Sequence, residues 1–419
     1  MSTNDDNMVV PINWEETDSR IKVIGVGGGG CNAVTYMYNQ KIRGCTFIVC
    51  NTDNQALMKS TVPTKIVIGD GKGAGTNPEK ARKAALESQD IIKSYLVSKN
   101  TDIVFVTACL GGGTGTGAAP VIAKLVKDSG ILTIGVVSLP FENEGRRAMS
   151  KAADGIHELK NNVDSLLIIN NQKLFSYFGK ERLLDAMPKA NEVLSTAVKG
   201  IIEIINKCGE INVDIEDVKT MMKNSGMALM GSGKAKGSDR VEEAVKQALE
   251  SPLLNDFDLS TAKNLLINVT TTVGEKGIYM EDFGKITELV TERTGLVDNC
   301  KQGLIIRDDP NADDSLQLTV IATGFKADIA HLVGTDYSNI IVIGDDYTYN
   351  PEKRIIPPMD EADMTPAINK VGFNSTENVP HFHFDKKPVL DITGDEDISP
   401  MLTTPSIRRV AHLPVSKES

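Results

Sequence analysis

The sequence is poor in positive charge, in paired cysteines and in long apolar runs, and each shortage removes a class of function. Lysine and arginine number 45 against 56 acidic residues, a formal net charge of -11. A nucleic-acid footprint needs a basic face, so no nucleic-acid partner is expected. The six cysteines, Cys31, Cys45, Cys50, Cys109, Cys208 and Cys300, lie far apart with no C-x-x-C pair. Such spacing suggests neither a zinc site nor a redox dithiol, so no metal ligands are assigned and reduced, buried thiols are expected. No apolar run reaches the roughly 20 residues a membrane span needs. The polar start, Met1 to Thr17, has no signal-peptide core. A cytoplasmic chain with no direct membrane span is the expectation.

Glycine, by contrast, is concentrated. The string Gly111-Gly112-Gly113-Thr114-Gly115-Thr116-Gly117 follows the apolar run Asp102 to Ala108 and precedes the helical pattern Ala118 to Val126. It reads as strand, glycine loop, helix. Without obstructing side chains, backbone N–H groups can converge on an anion, and the helix behind them adds its positive dipole end. The two threonines can add hydroxyl donors. A plain glycine turn is the ordinary structural reading, but seven such residues in this setting favour a phosphate cradle.

A second such turn follows the strand Arg20 to Val26, where Gly27-Gly28-Gly29-Gly30-Cys31-Asn32 opens a helix. Gly25, Gly27 and Gly30 satisfy G-x-G-x-x-G, and Asp53 falls about where a ribose-binding acid sits in a dinucleotide fold. Taken alone, that pattern predicts an NAD-dependent oxidoreductase. A third loop weighs against it: Gly69 to Pro78 follows the strand Lys65 to Ile68. Three loops at the carboxyl ends of parallel strands suggest one polyphosphate. No P-loop is present, because the Gly-Lys pairs at 71, 179, 233 and 284 have Ile66, Leu174, Ala228 and Tyr279 where its first glycine belongs. Charge neutralisation then falls to backbone dipoles, hydroxyls and a bound cation such as Mg²⁺.

At 419 residues the chain exceeds one ordinary core, so two domains plus extra segments are expected. Further strands at Ile131 to Val137 and Ser165 to Ile169, with helical patterns between, give the alternating order of a mainly parallel α/β sheet. The segment Leu183 to Lys207 carries Leu184, Met187, Leu194, Val198, Ile201, Ile202 and Ile205 on one side and predicts a long bridging helix. Helices at Ile215 to Met222 and Asp239 to Glu250, with strands at Leu265 to Thr271, Gly303 to Arg307 and Leu316 to Ala322, predict a smaller α/β unit. From about Ala327 to Pro400 the periodicity stops, and a disordered linker ending in a short peptide is expected. The expected divisions are a disordered arm at 1–19, a nucleotide-binding domain at 20–182, a central helix at 183–208, a second domain at 209–326, a linker at 327–397 and a tail peptide at 398–419.

These motifs resemble the FtsZ family, the bacterial tubulin-like division GTPases. The resemblance runs from about Ile21 to Phe325 and takes in Gly27 to Val34, Asn51 to Leu57, Gly73 to Glu79, Gly111 to Pro120, Asn212 to Val218 and Ser251 to Leu254. It implies a tubulin/FtsZ-like α/β fold: a mainly parallel-sheet GTP-binding domain, a long central helix, a smaller α/β C-terminal domain and a disordered tail. By position it implies that Gly28, Gly29, Gly30, Cys31 and Asn32 line GTP, with Gly73, Ala74 and Gly75 beside them. Gly113, Thr114 and Gly115 would hold phosphate, Glu144 the ribose, and Asn191 the base, with Asn171 a second contact. From the residues alone, Asn191 is an ordinary surface amide and Asp214 a helix N-cap. The resemblance instead makes Asp214 and Asp217 the catalytic acids, inserted into the next subunit's nucleotide site, where carboxylates can orient water. Head-to-tail contacts that do not close give filaments, so a homopolymer at the division site is implied. The tail would reach a membrane tether or division regulators.

The chain departs from the family pattern at Pro140 to Ala148, where Ala148 stands in the place of a nucleotide-contacting arginine and Arg147 is the nearest substitute. Met187 replaces a common aromatic, and Asn170 a proline. Slower hydrolysis than is usual in the family is therefore expected, and the alternative is a GTP-binding, weakly hydrolysing variant that co-assembles with an active partner.

Overall fold

The computed structural model describes residues 19–172, 182–206, 210–211, 213–251, 259–273, 277–295, 297–307 and 313–325, and the side chains at 183–188, 190 and 325 are likewise outside the description. The linker and tail peptide expected at 327–397 and 398–419 lie outside the described residues, as does the arm up to residue 18.

In chain order the elements are β1 (Ile21–Val26), α1 (Gly27–Asn39), β2 (Thr46–Asn51), α2 (Asn54–Met58), β3 (Thr64–Val67), α3 (Pro78–Glu87), α4 (Gln89–Leu96), β4 (Ile103–Cys109), α5 (Thr114–Asp128), β5 (Leu132–Leu139), α6 (Arg146–Asn162) and β6 (Ser165–Asn170). There follow α7 (Leu183–Asn206), α8 (Ile215–Met222), β7 (Gly226–Ala235), α9 (Arg240–Leu249), β8 (Asn264–Thr272), α10 (Met280–Thr294), β9 (Asn299–Arg307) and β10 (Leu316–Phe325). The strands form one sheet in the order β3-β2-β1-β4-β5-β6-β7-β10-β8-β9.

Strands β1 to β6 pair in parallel in the doubly wound order 3-2-1-4-5-6. Their sequences are near-continuous apolar runs, as expected of strands covered on both faces: β1, β2 and β5 are buried throughout. The order in which strands are added reverses between β1 and β4, and in such sheets a crevice opens at the carboxyl ends of the strands at that point. The glycine strings after β1 and β4 flank this crevice.

The long helix appears as α7, with Leu194, Ala197, Val198, Ile201 and Ile202 buried against Met37, Phe47, Ile134, Val136, Met221 and Ile321. Ile205 is partly buried against the same cluster; Leu184 and Met187 are among the side chains outside the description. Two elements depart from the sequence reading. Strand β7 has no β-branched residue in Gly-Met-Ala-Leu-Met-Gly-Ser-Gly-Lys-Ala, so its propensity is low, yet it is held between β6 and β10. Helix α10 carries only Ile286, Val290 and Thr294 as buried residues, a stripe too narrow to stand out. The thiols also differ: Cys300 is exposed and Cys45 and Cys109 are half-buried, while Cys31 and Cys50 are buried as expected.

Candidate functional site

The crevice is built from main chain. Helices α2, α3 and α8 each have a side-chain cap, from Asp53, Asn77 and Asp214. Helices α1 and α5, whose N-termini meet at the crevice, have none: Val26 and Gly113 occupy their N-cap positions without a side-chain hydrogen bond. Each leaves first-turn N–H groups and a positive dipole end directed at the crevice, the arrangement that binds anions.

Several of the glycines are there because neighbouring atoms, chiefly backbone, leave no room. A methyl on Gly27 would lie 2.7 Å from Gly115 N, on Gly115 2.3 Å from Cys109 O, and on Gly117 1.9 Å from Pro78 O. On Gly113 it would lie 2.9 Å from Ala74, which brings the third loop against the α5 turn. Gly29 and Gly30 are equally confined, by Cys109 Sγ and Thr107 O at 2.3 Å. Gly28, Gly75 and Gly112 instead face open space with nothing within 4 Å. Gly73 and Gly75 take φ of 89° and 58°, a left-handed geometry that favours glycine.

Side chains then lock the loops together. Thr52 Oγ1 and Thr114 Oγ1 share a hydrogen bond of 2.7 Å, and Gly73 N donates to Thr52 O at 2.8 Å. Thr116 does not offer its hydroxyl outward as expected: buried, its Oγ1 accepts from Gly111 N at 3.0 Å and braces the loop. Lys80 Nζ donates to Gly73 O and Lys151 Nζ to Thr76 O, at 2.8 and 2.6 Å. Sequence reading missed Thr52, Lys80 and Lys151, because nothing in their local pattern says that they close on the third loop.

Other expected contacts fall around this frame. Cys31 turns its thiol into the core, 3.5 Å from Gly25 O and 3.4 Å from Cys50 O, and burial pushes it up to about 12. Only its main chain can meet a ligand. Ala74 is buried, whereas Asn32 is exposed on α1. Glu144 is exposed, with Oε1 accepting from Phe141 N at 2.9 Å. Arg147 is exposed and its guanidinium makes no hydrogen bond or ion pair among the described residues, while the Ala148 carbonyl lies 3.1 Å from where a Gly111 methyl would be. Asn191 is half-buried on α7, which packs on α1. Asn171 is 7% exposed and its Oδ1 is buried without a hydrogen-bond partner among the described residues. A buried orphan acceptor of that kind is normally satisfied by something the chain alone does not provide.

Asp53, the acid of the dinucleotide reading, is occupied elsewhere: its Oδ1 accepts from Gln55 N and Ala56 N at 2.9 and 3.2 Å and caps α2.

Asp214 and Asp217 do not join the cradle. They form a reciprocal cap at the start of α8, with Asp217 N donating to Asp214 Oδ1 at 2.7 Å. Two residues on, Lys219 Nζ donates to Asp102 Oδ1 at 2.7 Å, just before β4, while the glycine loop follows that strand's other end. A seven-residue strand puts the acids and the cradle roughly 20 Å apart. One subunit cannot bring the two halves together.

Comparison with known proteins gives a consistent picture. The sequence matches the Tubulin/FtsZ family GTPase domain over residues 20–179 and the FtsZ family C-terminal domain over residues 226–326. It is 47% identical over 323 residues to the cell division protein FtsZ of Buchnera aphidicola subsp. Baizongia pistaciae, covering 75% of this chain and 82% of the relative. To that of Porphyromonas gingivalis it is 42% identical over 342 residues, covering 79% and 74%. Among solved structures, an empty FtsZ dimer from M. jannaschii superposes with a TM-score of 0.66 at 39% identity, covering 74% of this chain and 89% of that one. A GTPγS-bound CetZ2 protofilament from Haloferax volcanii, at 21% identity and a TM-score of 0.64 over 75% and 96%, shares the fold.

Proposed function

The chain belongs to the FtsZ family of tubulin-like cell-division GTPases, and from that premise we propose that it polymerises head to tail at the division site and hydrolyses GTP in the contact between subunits. The observation that carries the reading is the division of the site, with donors for a polyphosphate at the carboxyl edge of the sheet and the acids at the other. Stacking one subunit on the next brings the two edges together, and a contact repeated in that way builds a filament.

In this reading the first-turn N–H groups of α1 and α5 hold the phosphates, those of Gly28, Gly29 and Gly113 to Gly115 among them, with Gly30 to Asn32 lining the nucleotide and Gly73 to Gly75 closing the third side. Asn191 reads the guanine edge as donor and acceptor, Asn171 Oδ1 accepts from the nucleotide, and Glu144 faces the ribose. Among the described residues no group of three or more His, Cys, Asp or Glu is placed to hold a metal ion. A Mg²⁺ bound with the nucleotide beside the cradle's hydroxyls would supply neutralisation of the charge that builds on the departing GDP. Asp217 and Asp214 of the neighbouring subunit orient the attacking water and accept its proton. Hydrolysis weakens the contact that contains the nucleotide, so polymer lifetime follows nucleotide state. The tail at 398–419, on the linker 327–397, recruits a membrane tether or regulators.

The test is GTP-dependent pelleting coupled to phosphate release. Sedimentation with GTP and less with GDP is expected, with release per subunit rising with protein concentration. Hydrolysis by non-pelleting subunits at a rate independent of concentration would refute the shared site. A second reading, weak hydrolysis in co-assembly with an active partner, is favoured by Ala148, which offers no side-chain donor beside the loop. Normal pelleting with little release would select it.

A further inference from the structure

The turn at the start of α8 places Asp214, Glu216 and Asp217 within four residues, and two of these carboxylates meet cations, one from the same helix and one from elsewhere. Glu216 Oε1 accepts from Lys219 Nζ at 2.8 Å, which also serves Asp102. Asp217 Oδ1 lies 2.7 Å from Lys301 Nζ, brought in by β9.

The second meeting is built by the backbone. Ile211 and Leu304 form an antiparallel bridge, exchanging hydrogen bonds of 3.4 and 3.0 Å, so the segment leading into α8 lies along β9. Three residues before Leu304 on β9, Lys301 reaches Asp217. Gly303 makes the approach possible: a methyl there would stand 3.1 Å from Val213 and 2.8 Å from Asn268 Oδ1.

The Asp217 oxygens are then unequal. Oδ1 holds the ammonium, while Oδ2 accepts from Asp214 N at 3.4 Å, a long contact that leaves its lone pairs largely free. The Lys301 ammonium has no other hydrogen-bond partner among the described residues, and it is held above its ordinary range by the hydrogen bond to Asp217 and by the charges of Asp217 and Asp214. A half-exposed pair of this kind contributes little to folding. Its effect lies in fixing a side chain that would otherwise rotate.

We propose that Lys301 is a positioning residue for hydrolysis: it anchors Oδ1 of Asp217 so that Oδ2 is the oxygen presented to water in the neighbouring subunit's site. The proposal rests on the reading of Asp217 as the water-orienting acid given above.

The experiment compares full-length wild type, Lys301→Ala, Lys301→Arg, Asp217→Ala and the Asp217→Ala/Lys301→Ala double variant. GTP binding, pelleted fraction, phosphate release per pelleted subunit and thermal unfolding are measured for each. Lys301→Ala is expected to lower release per pelleted subunit about tenfold, short of the roughly hundredfold that a 1 Å misplacement can cost. Binding, unfolding temperature and the protein concentration for half-maximal rate should hold, and Lys301→Arg should recover most of the rate. Removing Lys301 from the Asp217→Ala protein should change nothing further. Wild-type turnover in Lys301→Ala beside an inactive Asp217→Ala would overturn the proposal and leave the reading of the acid standing. A loss confined to the half-maximal concentration would make Lys301 a contact residue and overturn it too. Full turnover in Asp217→Ala would sink the reading of the acid and this proposal with it.

Discussion

The cradle and the acidic turn of α8 differ in every physical respect that bears on recognition. The cradle is main chain packed on main chain, with methyl-sized gaps filled by carbonyls and amides. Its donors are rigid and carry partial charge only. The turn is made of side chains: Asp214 is exposed, Asp217 is partly so, and each is oriented by hydrogen bonds to the other's backbone. A polyanion can be held by fixed dipoles without importing a cation that would compete with Mg²⁺. In the proposed mechanism the proton goes to carboxylates, and these lie at the far edge of the sheet until a second subunit arrives. That division of labour would keep nucleotide binding and hydrolysis as separate events.

The largest effect that sharpens this contrast lies inside the cradle. Gly117→Ala drives a methyl to 1.9 Å from Pro78 O, a backbone atom that cannot step aside, and a loss of ~3 kcal/mol or more in stability is expected. Gly112→Ala meets nothing within 4 Å and should melt with the wild type while binding GTP more weakly, since its methyl enters the space proposed for phosphate. Thermal unfolding with and without nucleotide distinguishes them. Equal melting of the two variants would break the claim that close packing, not flexibility, dictates the glycines.

At the acidic turn the order of effects should invert. Asp217→Ala is expected to reduce GTP turnover about a hundredfold with nucleotide binding intact. Asp214→Ala should lower turnover and also lose the α8 cap, about 1 kcal/mol of stability, whereas Asp214→Asn keeps the cap. Turnover that follows stability across these three variants would reduce both acids to capping residues. Smaller again is the gain at Ala148: arginine there supplies a charged donor beside Gly111, and about tenfold in GTP affinity or turnover is expected. No gain in either would count against a missing contact at that position.

How far each region was legible follows from the same difference. Glycine strings after β1, β3 and β4 announce a cradle because main-chain sites need consecutive small residues, and consecutive residues are what a sequence displays. The parallel order and the central helix were equally readable from apolar periodicity. Strand β7 was not, since its low-propensity residues are strands only by virtue of β6 and β10 on either side. Thr116 was misassigned because a hydroxyl in a glycine loop looks the same whether it faces a ligand or Gly111 N. Asp217 was recognisable as an acid, but its partner Lys301 depends on the bridge between Ile211 and Leu304, a tertiary pairing with no local signature.

The smallest expected effect separates the two regions by pH. Asp102 joins the foot of β4 to α8, accepting from Arg20 Nε at 2.6 Å and Lys219 Nζ at 2.7 Å. Burial alone would raise its carboxyl, but the hydrogen bonds from Lys219 and Arg20 prevail and hold it below the usual range. A carboxyl lowered in the folded state adds stability above its unfolded value, near 4, and that contribution is lost as pH falls through the folded value. Asp102→Asn should therefore cost about 1 kcal/mol, a difference from wild type that is flat near neutral pH and shrinks in acid. Urea unfolding of both proteins between pH 7 and pH 3 measures it; a difference that stays flat or grows in acid would remove Asp102 from the clamp. Fluorescent-nucleotide binding over the same range gives the counterpart. The cradle's amides do not titrate, so an acid-induced loss of GTP affinity that Asp102→Asn shares with wild type does not originate in the joint at the foot of β4.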